Sequence, residues 1–317
     1  MKPITHLVFG GNALRTLCLC GILRYIYFYN LNVFIRDVSG TSMGAFFALA
    51  FALKIPIELL EKIIYKVCKD TNLTKIPPSA FLNIFDTYGI GSSLDYLEDI
   101  RTYIKDNFNQ NDMTFLELSK KTGINLYVSA TNINECKNTN FNVNNTPNVS
   151  IIDAVSASMC VPLLSKPIII DDNYYIDGYL TDNFPLEVFK DIPREQILGV
   201  AVNVKSDYDN KNESNMSFLK YIHNILYIVY NNTYKLCYYN KITSYDNFLI
   251  IDNSPIRSIF NPIINDDCID FSLNEDDINN LFLQGFKELN DYMNKFNYSN
   301  SNLDLTFCER SSTFQDI

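Results

Sequence analysis

The sequence predicts an α/β protein with a mostly parallel central sheet and helices on both faces. Three observations carry that expectation. The apolar run His6–Phe9 breaks at Gly10-Gly11 and leads into a helix-like stretch, and Val33–Val38 breaks at the glycines of "SGTSMG" and does the same. Strand, glycine turn and helix in that order, twice over, is the arrangement that parallel strands need for their crossovers. A third run, "ILGVAVNV" over 197–204, is apolar almost without alternation, as a strand buried on both faces should be.

In chain order, His6–Phe9 is the first strand, and a helix with Leu17, Ile22, Leu23 and Ile26 on its apolar positions follows it. Val33–Val38 is the second strand and Gly44–Leu53, rich in Ala, Phe and Leu, a buried helix. Ile57–Lys69 reads as an amphipathic helix. Residues 70–93, with Pro77-Pro78, Gly89 and Gly91, read as a loop over the surface. Leu94–Phe108 and Thr114–Thr122 are helical, the second opening on a capping box of Thr114 and Glu117. Ile124–Thr131 is a strand, and Val149–Cys160 contains a helix that stops before Pro162. "IIIDDNYYIDG" reads as two short strands around a polar turn. Residues 205–216 are a polar loop, Met216–Lys241 an aromatic-rich helix, Phe248–Asp252 a last strand and Glu275–Phe296 a closing helix. Without repeats or an evident linker, residues 1–296 are expected to form one domain. The Ser/Asn-rich residues 297–317 are expected to be a disordered tail.

Composition removes several function classes. The 317 residues are 47% hydrophobic and carry a net charge of −10, which argues against a general grip on the phosphates of nucleic acid. The opening "MKPITHLVFGGN" lacks a secretory pattern, and the longest apolar stretch, Ala45–Leu53, is far short of the roughly 20 residues a span needs. A cytoplasmic protein with at most peripheral membrane contact is expected. Eight scattered cysteines fit free thiols in a reducing compartment. No Cys/His group has metal-ligand spacing, so neither a metal nor a cofactor is expected. "GGNALR" is not a dinucleotide fingerprint, and no glycine loop leads into the Lys-Ser/Thr of a P-loop.

The chemistry-bearing pattern has three parts. "GTSMG" over 40–44 is a G-x-S-x-G between a strand and a helix. A nucleophile there needs a strained turn, small neighbours and a helix N-terminus to stabilise negative charge, and Gly40, Gly44 and Ala45 supply the small neighbours. Ser42 is either that nucleophile or a helix-capping serine in a glycine turn. Gly10, Gly11 and Asn12, at the first turn, are candidates to converge backbone N–H groups on an oxyanion. Asp177-Gly178, after a strand, offers a carboxylate able to take the serine proton if burial raises its pKa, or else an ordinary Asp-Gly turn.

In this order the motifs resemble those of the patatin-like phospholipases, and the likeness extends over residues 5–296. "GGNALRTLCLCGIL" looks like that family's oxyanion loop and first helix, with Arg15 at its basic position. "VSGTSMGAFFAL" looks like its elbow, and "YVSATNINECKNTNFN" is similar to its central strand and hairpin. "DAVSASMCVPLLSKPIIIDDNYYIDGYLTDNFPL" resembles the segment running into its catalytic aspartate, and "FSLNEDDINNLFLQGFKEL" its closing helix. The resemblance implies a three-layer patatin-like fold and a lipid acyl hydrolase with a Ser–Asp dyad. Ser42 becomes the nucleophile, Asp177 the base, Gly10, Gly11 and Asn12 the oxyanion loop, and Arg15 a cation that steers a lipid phosphate or braces that loop. A membrane phospholipid or another acyl-ester lipid would be the partner.

Three residues depart from the family pattern: Asn12, where a third glycine is usual, Thr16 after Arg15, and Tyr179, which is expected to narrow the mouth of the site. These departures motivate an alternative, a catalytically weak patatin-like protein that binds lipid or regulates. Of the two histidines, His6 opens the first strand at the far end from the glycine turn; His223 follows Asp177, as the Ser…Asp…His order of α/β-hydrolases has it, but sits in the aromatic helix as a structural histidine would, so a dyad is the better reading. Asp182 is expected to cap a turn. The stretch from Tyr221 to Tyr239 reads as core, or else as an acyl-pocket wall or membrane-facing surface.

Overall fold

A computed structural model describes residues 3–82, 84–203, 217–233, 248–252, 262–264 and 268–295. The expectations for the tail at 297–317, the polar loop at 205–216 and the aromatic stretch beyond Thr233 lie outside the described residues.

Eight strands make the central sheet: β1 (His6–Phe9), β2 (Asp37–Thr41), β3 (Asn125–Asn132), β4 (Lys137–Asn142), β5 (Ile168–Ile170), β6 (Asn173–Asp177), β7 (Ile197–Asn203) and β8 (Phe248–Asp252). Their order is β8-β7-β1-β2-β3-β6-β5, with β4 also paired to β3. From β8 to β3 every pairing is parallel; β4, β5 and β6 add antiparallel hairpins at one side.

Each face of the sheet has its own core. Along β7, Leu198, Val200 and Val202 join one cluster while Ile197 and Ala201 join the other; in β1, Leu7 and Phe9 go one way and Val8 the other. Side chains alternate along a strand, so a strand clothed on both faces must be apolar throughout. The larger cluster takes in α1 (Cys18–Phe28), α2 (Met43–Ala52), α3 (Ile57–Lys69), α4 (Glu98–Phe108), α5 (Phe115–Thr122), α6 (Ile151–Ser158) and α8 (Glu275–Lys295). The smaller one is closed by Leu226 and Tyr230 of α7 (Phe218–Thr233), with Tyr179, Phe184 and Phe248. Helices thus cover both faces, and the molecule has three layers. α2 is apolar on every side and wholly buried, as a helix trapped under others must be.

Two expectations shift. The second strand begins at Asp37, not Val33: Leu31–Val33 is a short 3-10 turn whose chain Arg36 ties down through the carbonyls of Val33 and Ile35. The strand therefore runs into the glycine motif, and Ser39, Gly40 and Thr41 are its last residues. Residues 70–93 are not a free surface loop. Lys75–Ile76 pairs with Ile269–Asp270, Gly89–Gly91 pairs with Leu163–Ser165, and the intervening chain walls a cavity described below.

α1 and α8 meet through Gly21 and Gly285. Gly285 lies against the Cys18 carbonyl and Gly21 against the Phe282 backbone, so a Cβ at either has no room. Gly285→Val is expected to force the helices apart and lower the unfolding free energy by about 3 kcal/mol, read from urea denaturation.

Candidate active site

β1 and β2 are parallel neighbours with Phe9 opposite Gly40, so their following turns emerge side by side at the carboxyl edge of the sheet. They touch: a Cβ on Gly11 would lie 2.6 Å from the Ser42 Cβ. A Cβ on Gly44 would lie 2.5 Å from the Phe9 carbonyl, which explains why the second residue of the helix after the turn must be small.

Ser42 has φ 54° and ψ −131°, a backbone region costly for any residue with a side chain, by about 1–3 kcal/mol. The surroundings hold it there. Its N–H donates to Ser158 Oγ at 2.8 Å, Ser158 Oγ donates to the Ser129 carbonyl at 2.6 Å, and the Ser42 carbonyl accepts from Ala45 N–H at 2.8 Å.

The register of β3 brings the carboxylate to the serine. β4 lies along one edge of β3. On the other edge β2 pairs with residues 125–129, ending with Thr41 opposite Ser129, and β6 pairs with 130–132, ending with Asp177 opposite Ala130. Two strands running toward each other thus stop at adjacent positions on β3. Ser42 Oγ donates to Asp177 Oδ2 at 2.8 Å. Tyr179 N–H donates to Asp177 Oδ1 at 2.8 Å, and Thr131 Oγ1 holds the Asp177 carbonyl at 2.8 Å.

Asp177 is 1% exposed. Burial pushes its carboxyl up to about 7; the hydrogen bonds from Tyr179 N–H and Ser42 Oγ oppose that rise without cancelling it, and no cation is among the influences. A carboxylate in that range can accept and return a proton near neutrality.

The three amides expected to form an oxyanion site are already engaged. Gly10 N–H donates to the Val200 carbonyl at 3.0 Å, Gly11 N–H to Asn183 Oδ1 at 2.9 Å, and Asn12 N–H to Thr16 Oγ1 at 2.7 Å. Among the described residues, the amides of Ala13 and Met43 have no such partner, and both residues line the cavity together with Ser42. Ala13, at φ 44°, carries the left-handed turn; Asn12, at φ −163°, does not.

The departures from the family pattern acquire places. Asn12 and Thr16 are partners, the Thr16 hydroxyl supplying an acceptor that a glycine there could not. Tyr179 does not narrow the mouth: it is buried in the smaller core, its ring 4.9 Å from that of Tyr230, and it is not part of the cavity wall. The polypeptide turns after Asp177 so that the Tyr179 N–H, not its ring, faces the carboxylate. Arg15, within the 3-10 turn Ala13–Leu17, is buried at 3% exposure and does not line the cavity.

His6 contacts Asp37 and Thr5 at the other end of β1, and His223 stacks on Tyr227 along the buried face of α7. Neither lines the cavity. Asp182 Oδ1 accepts from Phe184 N–H, a turn cap, while its carbonyl accepts from Thr41 and Ser129 hydroxyls.

Two residues escaped the sequence reading. Ser158 is one small residue within "SAS", and Asn183 one amide in "TDNFP"; neither spacing points to the elbow. Asn183 grips Gly11 from both sides, accepting from its N–H and donating to its carbonyl at 2.8 Å. Asn183→Ala orphans two buried backbone groups and is expected to lower turnover of a soluble ester at least about tenfold with little change in KM. Steady-state kinetics check this, with a thermal melt to follow the accompanying loss of stability.

The cavity above Ser42 is about 190 Å³ in volume and mostly apolar, lined by Leu14, Met43, Ile76, Ala80, Ile90, Met159, Val161, Leu164 and Phe271. Its polar rim includes Lys75, Ser92 and Asp95. An apolar chamber walled in part by Ser42, Ala13 and Met43, with a raised carboxyl bonded behind the serine, suits acyl-ester chemistry.

The model of the family described as "Patatin-like phospholipase" matches residues 7–190. "Uncharacterized protein R571" of Acanthamoeba polyphaga mimivirus is 25% identical over 221 residues, covering 69% of this chain and 70% of that protein. "Probable lipid hydrolase 463L" of Invertebrate iridescent virus 6 is 30% identical over 197 residues, covering 59% of this chain and 64% of that one. The crystal structure of VipD from Legionella pneumophila superposes with a TM-score of 0.58 at 16% identity, over 93% of this chain and 67% of that one, which speaks for the fold.

Proposed function

The chain belongs to the patatin-like phospholipase family, and on that premise we propose that it is a lipid acyl hydrolase working through a Ser42 acyl-enzyme with Asp177 as base. The observation that carries this reading is the 2.8 Å hydrogen bond from Ser42 Oγ, on the wall of an apolar cavity, to a buried carboxylate whose pKa burial raises.

Asp177 takes the Ser42 proton as Oγ attacks the ester carbonyl. The amides of Ala13 and Met43, with the N-terminus of α2, receive the negative charge on the carbonyl oxygen. Collapse breaks the bond to the leaving alkoxide, which the Asp177 carboxylic acid protonates. Asp177 then draws a proton from water, which cleaves the acyl-enzyme and returns the serine. Every proton shuttles through one carboxyl, so no histidine is required. The hydrogen bond between Asn12 and Thr16 and the core position of Tyr179 support an intact site and weigh against a lipid-binding protein without turnover.

Labelling with a fluorophosphonate tests the assignment. Wild type and His223→Ala are expected to label; Ser42→Ala and Asp177→Asn are expected not to. Labelling that survives Ser42→Ala, or is lost in His223→Ala with its fold intact, sinks the dyad. Product analysis with phospholipid, acylglycerol and alcohol acceptors separates hydrolysis from acyl transfer.

A further inference from the structure

Residues 77–91 have two faces. Pro77, Ala80, Ile90 and Gly91 line the Ser42 cavity, while Leu82, Phe85 and Tyr88 between them are 78%, 89% and 61% exposed. Beneath them Phe81 is buried, its ring edge-on to Phe218 at 5.7 Å, which joins this segment to the start of α7.

α7 is apolar on two sides. Leu219, His223, Leu226 and Tyr230 form its buried face. Phe218, Tyr221, Ile225 and Ile228, at spacings of three and four, form a second stripe that is 58%, 53%, 37% and 57% exposed. A surface helix needs only one apolar stripe to dock on its own protein, so the second calls for another apolar phase. Charge narrows what that phase is. Residues 77–91 contain no Lys or Arg and one acid, Asp86, and α7 carries only Lys220, on a chain of net charge −10. Such a face has no means of gripping anionic headgroups by electrostatics, which takes clustered basic residues.

We propose that Leu82, Phe85 and Tyr88, together with the outer stripe of α7, insert into a zwitterionic or uncharged lipid surface and seat the mouth of the Ser42 cavity on it. This deepens the proposed function and rests on it: the acyl chain passes from the lipid phase into the cavity along Pro77, Ala80 and Ile90 without crossing water. Insertion by aromatic and aliphatic side chains draws on apolar burial and is insensitive to salt.

The test uses the full chain with phosphatidylcholine vesicles. Wild type is expected to co-sediment with them to the same extent at low and high salt, with no gain from added phosphatidylserine. Leu82→Ser/Phe85→Ser, at exposed positions, is expected to keep its unfolding midpoint and its turnover of a short soluble ester. It should lose vesicle partitioning and turnover of vesicular phospholipid by about tenfold or more. Ile225→Ser/Ile228→Ser, on the other element, is expected to repeat the loss. Unchanged partitioning in both variants overturns the proposal, as does binding that requires phosphatidylserine and is reversed by salt. Vesicle-independent dimerisation abolished by the same substitutions also overturns it, assigning the face to a second copy of the chain. A wild type that binds vesicles but neither labels at Ser42 nor cleaves any ester defeats the proposed function and leaves the docking surface standing.

Discussion

Ser42→Ala is expected to lower ester turnover by about 10⁴-fold or more while leaving the fold intact, because among the described residues no other cavity-lining hydroxyl is hydrogen-bonded to the Asp177 carboxylate. Measured kcat and fluorophosphonate labelling should fall together. The same position carries a second expected result. Ser42 is held at φ 54°, a conformation that penalises any Cβ, and the alanine variant keeps that penalty. Ser42→Gly removes it and is expected to exceed Ser42→Ala in unfolding free energy by about 1 kcal/mol, read from urea midpoints. Equal stability of the two would mean that the elbow stores no strain. The strain is sustained by neighbours distant in sequence, the Ser158 hydroxyl on the Ser42 amide above all.

Asp177→Asn is expected to move activity and stability in opposite directions. Turnover should fall about 10³-fold or more, since an amide cannot accept the serine proton. Stability should rise, and the sign follows from burial. The carboxyl titrates near 4 in the unfolded chain and at about 7 in the folded one. Below pH 4 it is protonated in both states and costs nothing. Between 4 and 7 the unfolded chain releases the proton while the folded protein retains it, so stability declines as pH rises. Above 7 the folded protein bears the full penalty of a buried charge, about 4 kcal/mol at most. The asparagine variant lacks this term. Its thermal midpoint should match that of wild type near pH 4 and exceed it increasingly up to pH 7, with a constant gap beyond. Wild-type turnover should climb over the upper part of the same window, levelling above about pH 7. A variant no more stable than wild type at pH 8 would show that the carboxylate is better compensated than its surroundings imply.

Much of this site was legible in the chain, for local reasons. A strand that must turn sharply into a helix demands small residues, and "SGTSMGA" announces that demand; Asp177-Gly178 announces another turn at a strand end. The apolar runs at 6–9 and 197–203 identify strands clothed on both faces. Errors arose where a local pattern admits two outcomes. Val33 and Phe34 are β-formers placed in a short helical turn, with the strand starting only at Asp37. The proline- and glycine-rich stretch after Asp70 resembles a loop in isolation but becomes a cavity wall once Ile76 pairs with Ile269 and Gly89 with Leu163. Tyr179 is a bulky residue beside the aspartate in sequence, yet the chain directs its ring into the smaller core.

By itself, then, the sequence marked the turns, most of the strands and the two candidate residues, Ser42 and Asp177, because each is flagged by residues within a few positions of one another. Tertiary structure alone decided that Ser42 and Asp177, 135 residues apart, meet at 2.8 Å: β2 and β6 end at successive residues on one edge of β3, and register is a property of pairing. It also decided which backbone amides at the first glycine turn are already bonded. Asn183, Thr16 and Val200 occupy the N–H groups of Gly11, Asn12 and Gly10, so the unengaged donors move to Ala13 and Met43. A backbone amide carries no record in its residue type of whether it is already bonded; only the fold distributes the partners.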